Sequence, residues 1–203
     1  MPFGNATMNE GRAPDDNPDT PFDAKTFREA LGLFATGVTI ITTIAADGSR
    51  VGITANSFSS VSLDPPLVLF SIARKAYSLS AFQQAGRFVI NVLAADQAPL
   101  SNRFATPSSD KWQGIEHESW AGCPIIPGSL AHFECRTQTM YDEGDHVIIV
   151  GRVVRLAHVG SGDPLLFFHG LYRHLQPLSV EFAGRGSPPV FPPLTGLDPW
   201  FSG

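Results

Sequence analysis

Hydrophobic and polar positions change places at short intervals along most of the chain, and the intervals are mostly those of strands. Asp23 stands before a segment whose apolar positions Phe27, Leu31 and Phe34 share one helical face, so the spacing predicts a capped amphipathic helix. Gly37-Val-Thr-Ile-Ile-Thr-Thr-Ile44 follows, a β-branched run that helices disfavour and strands accept. Asp47-Gly48 predicts a hairpin turn into a second strand over Arg50 to Asn56. Pro66 to Ala73 is almost continuously apolar, which predicts a strand covered on both faces. Tyr77 to Ala85 and Asp96 to Ala105 read as short helices on either side of a strand at Arg87 to Leu93. Ala131 to Tyr141 and His146 to His158 make a long hairpin around Asp142-Glu143-Gly144. A last strand at Leu165 to Phe168 leads into Leu171-Tyr172-Arg173.

Six or seven strands against about four short helices, joined mostly by hairpins, argue against a doubly wound sheet, which needs regular β–α alternation. An antiparallel barrel with helices plugging its ends fits the pattern. The folded domain is expected to run from residue 22 to 176. Residues 1–21 are polar and rich in Pro, Asn, Asp and Gly, and are expected to be disordered. Residues 177–203 hold six prolines but also Phe182, Val190, Phe191, Leu194, Trp200 and Phe201. Such a tail is expected to lie extended across a surface, its own or a partner subunit's.

Charge narrows the partners. Fourteen basic and nineteen acidic residues give a formal charge of −5 with no basic run, which argues against nucleic acid. The first twenty residues lack the apolar segment of a signal peptide, and no apolar run is long enough for a bilayer-spanning helix. A cytoplasmic protein with no membrane partner is expected. Cys123 and Cys135 fit neither a zinc nor a Cys-x-x-Cys pattern and are read as reduced core thiols. The six histidines are scattered without ligand spacing, so no metal site is expected.

Familiar catalytic signatures are absent: no Gly-x-Gly-x-x-Gly after a strand, no phosphate-binding Gly-Lys-Ser/Thr loop, no His-Glu-x-x-His and no Gly-x-Ser-x-Gly. Three stretches remain. Thr54-Ala-Asn-Ser-Phe-Ser-Ser-Val-Ser62 carries five hydroxyls and an amide just before the most apolar strand. It is either a polar crossover loop with local turn bonds or the lining for a planar heterocycle on a polyol phosphate chain. Ser71, Arg74, Lys75, Ser78 and Ser80 form a second cluster around a helix start, either a phosphate site or a solvated cap. Gly144-Asp145-His146 heads a strand, where the histidine can bind an anion, donate to a carboxamide or face solvent.

Taken in order, six elements of this chain resemble the short-chain flavin reductase family. They are Phe34-Ala-Thr-Gly-Val-Thr39, Thr54 to Pro66, Phe88-Val-Ile-Asn-Val-Leu93 with Gln97, Arg103-Phe-Ala105, Gly144-Asp-His146 and Gly170-Leu-Tyr-Arg173. The resemblance implies a mainly β fold: a six- to seven-stranded antiparallel Greek-key split barrel with a few short flanking helices. It implies an NAD(P)H-dependent flavin reductase that takes FMN or FAD, uses NADH or NADPH, forms a homodimer and supplies reduced flavin to a separate monooxygenase. By the same resemblance Thr36, Gly37 and Val38 lie beside the flavin ring, and Thr54, Ala55, Asn56, Ser57, Ser60, Val61 and Ser62 hold the ring and its ribityl chain. Ser71, Arg74 and Ser78 are expected at the flavin phosphate, and Asn91, Phe104 and Ala105 on the far side. His146, as the catalytic candidate, is expected to face the nicotinamide with Tyr172 and Arg173. The alternative on the same barrel is a non-catalytic flavin-binding or electron-carrying protein. An oxidase of the pyridoxamine-phosphate type would need extra basic residues that this chain lacks.

Overall fold

The computed structural model describes residues 22–108 and 111–176. The expected N-terminal extension and Pro-rich tail lie outside the described residues. The chain opens with α1 (Ala24–Leu31), capped by Asp23, whose Oδ1 accepts from the Thr26 N–H at 2.6 Å. Then come β1 (Thr36–Gly37), β2 (Thr39–Ile44), β3 (Arg50–Ala55), β4 (Ser59–Ser62) and β5 (Leu67–Ala73). After these stand α2 (Leu79–Ala85), β6 (Arg87–Val92), a single 3-10 turn (Ala95–Gln97) and α3 (Ala98–Ala105). Small strands β7 (Glu118–Trp120) and β8 (Cys123–Ile125) precede the long pair β9 (Ala131–Glu143) and β10 (His146–His158). β11 (Leu166–Phe168) and β12 (Leu171–Arg173) end the described part.

Seven strands form one antiparallel sheet in the order β3-β2-β6-β9-β10-β5-β4. Hairpins make β2–β3, β4–β5 and β9–β10 neighbours, while the chain between β3 and β4 crosses from one margin of the sheet to the other. The sheet curls, so that β3 and β5, near opposite margins, face each other across a cavity instead of pairing. β1, β11 and β12 form a small separate sheet beside it.

The core explains the curl. Ile41, Phe70, Phe88, Ile90 and Ile149 are all buried on the concave side, and Phe82 of α2 plugs that end with its ring edge-on to Phe70. A second cluster, Val38, Ile40, Leu93, Phe104, Ile126 and Leu165, joins α3 to the other end.

The structure corrects the reading of β5. Only its alternate residues Val68, Phe70 and Ile72 are buried; Leu67, Leu69, Ser71 and Ala73 are half-buried. The continuous apolar run therefore has one face on the core, and Ser71 and Ala73 border the cavity on the other. The second helix is also shorter than predicted, beginning at Leu79, with Tyr77 exposed ahead of it. Strand β4 falls inside the Ser-rich segment, which is thus only partly loop. Cys123 and Cys135 are buried free thiols, as the sequence predicts. Burial pushes the Cys135 thiol up to about 12.

Candidate active site

The cavity has a volume of about 1250 Å³. Single small-molecule sites run to roughly 1,000 Å³, so this one has room for two stacked ring systems. Its floor is β3 continued through Asn56 and Ser57, and its opposite wall is the end of β5 with the turn to Ser78. Phe104, Ala105, Pro107, Lys111 and Trp112 close one end, and His146 stands at the other.

Local hydrogen bonds hold these walls. Ser57 Oγ accepts from the Ser71 N–H at 3.0 Å and donates back to the Ser71 carbonyl at 3.1 Å, tying the crossover to β5. Thr54 Oγ1 donates to the Ser101 carbonyl at 2.6 Å, tying β3 to α3. Both hydroxyls are therefore braces. Ser78 makes no side-chain capping bond at the start of α2, which leaves its hydroxyl to the cavity. Gly52 has no room for a side chain: a methyl there would sit 2.5 Å from the Phe104 ring and 3.2 Å from Trp112. The aromatic wall can lie against the strand only because residue 52 is glycine.

His146 is placed by the β9–β10 turn, where Gly144 takes a positive φ of 54°. Its Nδ1 lies 2.6 Å from Asp145 Oδ1, so Nδ1–H donates to the carboxylate and Nε2 has no partner among the described residues. That hydrogen bond holds the Asp145 carboxyl below its ordinary value. Arg50, Lys75, Lys111 and His146 line the cavity, and no Asp or Glu does so among the described residues. In a chain of net charge −5, a wall with two lysines and an arginine and, among the described residues, no carboxylate concentrates positive potential where a phosphorylated ligand would sit.

Of the residues expected at the site, Thr54, Ala55, Asn56, Ser57, Ser71, Ser78, Phe104, Ala105 and His146 border this one cavity. The others do not. Asn91 is fully buried, donating to the Ile40 carbonyl at 2.9 Å and accepting from Ile126 N–H and from His132. Its amide is consumed by the core, which corrects its placement on a ligand-facing wall. Val38 is buried in the second core cluster, and Thr36 and Gly37 pair with β11. Ser60, Val61 and Ser62 belong to the outer margin strand β4. Arg74 turns aside, its Nε donating to the Gly144 carbonyl at 2.9 Å and its guanidinium meeting Asp142 at 3.2 Å. The Tyr172 hydroxyl donates to Ser101 Oγ at 2.8 Å, away from the cavity, and Arg173 is an exposed residue of β12.

Sequence reasoning passed over Arg50, Lys111 and Trp112 and kept Lys75 only in its phosphate cluster. Lys75 neighbours Arg74 in the turn after β5, where no strand alternation tells which of the two faces inward. Lys111-Trp112 sits in a stretch without periodicity, and nothing local marked it.

The residues present fit a flavin. Small residues at Ala55, Ser57 and Ala105 admit a flat ring, backbone groups of the β3–β4 crossover border it, and Lys75 and Ser78 are suited to a phosphate. Residues 31–176 match the family described as "Flavin reductase like domain". The chain is 49% identical over 151 residues to the FMN reductase (NADH) SmoA of Agrobacterium fabrum, covering 74% of this chain and 85% of that protein. It is 45% identical over 180 residues to HsaB of Rhodococcus jostii, the reductase subunit of a flavin-dependent monooxygenase, covering 88% and 92%. Among solved structures, the NADH:FAD oxidoreductase SgcE6 of Streptomyces globisporus, in complex with NAD and FAD fragments, matches with a TM-score of 0.73. Its sequence identity is 34%, over 77% of this chain and 95% of that one. By sequence over most of its described length, and by a fold shared with those barrels, the chain belongs to the flavin reductase-like domain family.

Proposed function

We propose that this chain is an NAD(P)H-dependent flavin reductase that takes FMN or FAD and supplies the reduced flavin to a separate monooxygenase. The observation that carries the reading is the cavity between β3 and β5, lined by cations and, among the described residues, by no carboxylate, and large enough for two ring systems. The named activities of SmoA, HsaB and SgcE6 support the reaction class. A bound flavin supplies the ring atom that accepts hydride from the reduced nicotinamide. The protein's work is then to stack the two rings, keep water out and steady negative charge as it grows on the flavin pyrimidine.

Backbone N–H groups around Asn56 and Ser57 are suited to that charge, because the Ser57–Ser71 brace fixes them. Lys75 and Ser78 hold the flavin phosphate. His146, steered by Asp145, meets the nicotinamide side with Nε2. No acid–base dyad is required, which accounts for the lack of an obvious catalytic pair in the sequence.

The same reading makes the protein a homodimer. Phe27 and Leu31 of α1 and Phe34 just beyond its end are 50%, 57% and 77% exposed, an apolar patch that a second copy would cover. Among the described residues no helix is long and apolar enough to cross a membrane, and the reading puts the protein in the cytoplasm, with its nicotinamide supply. The deciding assay is NADH and NADPH oxidation in air with catalytic FMN or FAD. A reductase turns over many equivalents of nicotinamide, whereas a flavin carrier would bind flavin tightly and consume almost none.

A further inference from the structure

Two cations follow β5 side by side and part company. Lys75 borders the cavity, whereas Arg74 is not one of its walls. Arg74 runs instead to the β9–β10 turn and holds it at three points. Its backbone N–H donates to the Asp145 carbonyl at 2.9 Å, which carries the pairing of Ala73 with His146 one bond further. Its Nε–H donates to the Gly144 carbonyl at 2.9 Å, and Nη1 lies 3.2 Å from Asp142 Oδ1. The turn itself is a two-residue loop, Gly144-Asp145, between the paired residues Glu143 and His146. The Asp145 carboxylate that orients His146 is 92% exposed. With so little packed against that carboxylate, its direction is set by the backbone that carries it. Whatever fixes this backbone therefore fixes the histidine.

We propose that Arg74 is a positioning residue for the nicotinamide step, which acts through Asp145 and His146 by clamping their turn, and that it does not bind the flavin phosphate. The inference rests on the flavin reductase reading and deepens it. A guanidinium suits the task, because its rigid fork holds a carbonyl and a carboxylate in fixed directions at once. To reach a phosphate, Arg74 would have to give up both partners, while Lys75 and Ser78 already border the cavity. The size of the effect is bounded on two sides. The clamp can cost at most what His146 itself contributes, and an ion pair as exposed as Arg74–Asp142 adds little of its own.

A double-mutant cycle on Arg74→Met and His146→Ala tests this, with NADH kinetics at saturating FMN and FMN titrations on each protein. Arg74→Met alone lowers kcat/KM for NADH about five- to tenfold, the loss of one discounted charge-assisted hydrogen bond, and leaves the FMN Kd within about twofold. In the His146→Ala background the same substitution changes kcat/KM for NADH by less than about twofold, because the group it acts through is gone. A residue that merely stabilised the fold would cost as much in either background. Asp142→Asn loosens the clamp from β9 without touching β5, and lowers kcat/KM for NADH by a smaller factor, which keeps the test open should Arg74→Met fail to fold. The role is overturned if Arg74→Met weakens FMN about tenfold, as a phosphate ligand would. Equal losses in the two backgrounds, or wild-type NADH kinetics in Arg74→Met or in His146→Ala, overturn it as well. Wild-type protein that oxidises no NADH with any flavin would instead sink the functional reading, before any variant is compared.

Discussion

His146 reaches the cavity only through its ring Nε2, because Nδ1 is spent on Asp145 at 2.6 Å. Under the proposed reading, a hydrogen bond from that ring to the dinucleotide is worth roughly 1.5–3 kcal/mol when charge-assisted. His146→Ala should therefore lower kcat/KM for NADH by about 10- to 100-fold while the flavin Kd stays within about threefold. Ser57→Ala should do the opposite, because it releases the brace on Ser71 and loosens the flavin wall. Steady-state kinetics with flavin titrations on both variants test this; unchanged NADH kinetics in His146→Ala would leave the histidine a solvated turn residue. Burial sets a different constraint at Cys135, whose thiol is raised from an ordinary 9.0 to about 12. Its un-ionised form is favoured by folding, so this contribution to stability is full below about pH 9 and is lost as the pH rises towards 12. Thiol reagents at neutral pH should leave Cys123 and Cys135 unmodified until the protein is unfolded; rapid labelling of both in native protein would contradict the packing.

Among the elements, β2, β6 and β9 are pinned together by one polar knot. Asn91 of β6 donates to Ile40 of β2 and accepts from His132 of β9, with Nδ1 at 2.9 Å. Loss of solvent holds the His132 ring below its ordinary 6.5, so the folded state keeps it neutral. Stability from this group is present above about pH 6.5 and is lost as the pH falls through its lower folded value. The melting temperature should fall on acidification below neutrality, and the fall should be smaller in His132→Gln; identical acid profiles would show that the knot does not titrate. The same knot explains why Asn91 misled sequence reasoning, since an amide in an apolar strand looks alike whether it faces a ligand or a buried carbonyl. The strands themselves were legible, because β-branched runs and the Asp47-Gly48 turn declare themselves locally. The second face of β5 was not, because the period of a strand cannot say whether a helix or a cavity lies opposite. The cavity residues from the Ser-rich segment could be read from composition, whereas Lys111 and Trp112 enter only through the chain's long return past Gly52.

At the scale of the whole molecule, an exposed apolar stripe and an open cavity coincide in one small chain. Phe22 stacks on Phe27 at 5.3 Å, so the aromatic patch on α1 extends to the first described residue. If a second copy covers this face, light scattering at micromolar concentration finds a dimer, and Leu31→Glu shifts it towards monomer; a wild-type monomer with full activity would contradict the dimer. The central claim concerns the cavity, and it is tested most directly without oxygen. Protein mixed anaerobically with FMN or FAD and then with NADH should bleach the oxidised-flavin absorbance far faster than free flavin and NADH alone. One nicotinamide should be oxidised for each flavin reduced, and the colour should return on admitting air. Protein that binds flavin tightly yet leaves its absorbance unchanged after excess NADH and NADPH would contradict the account.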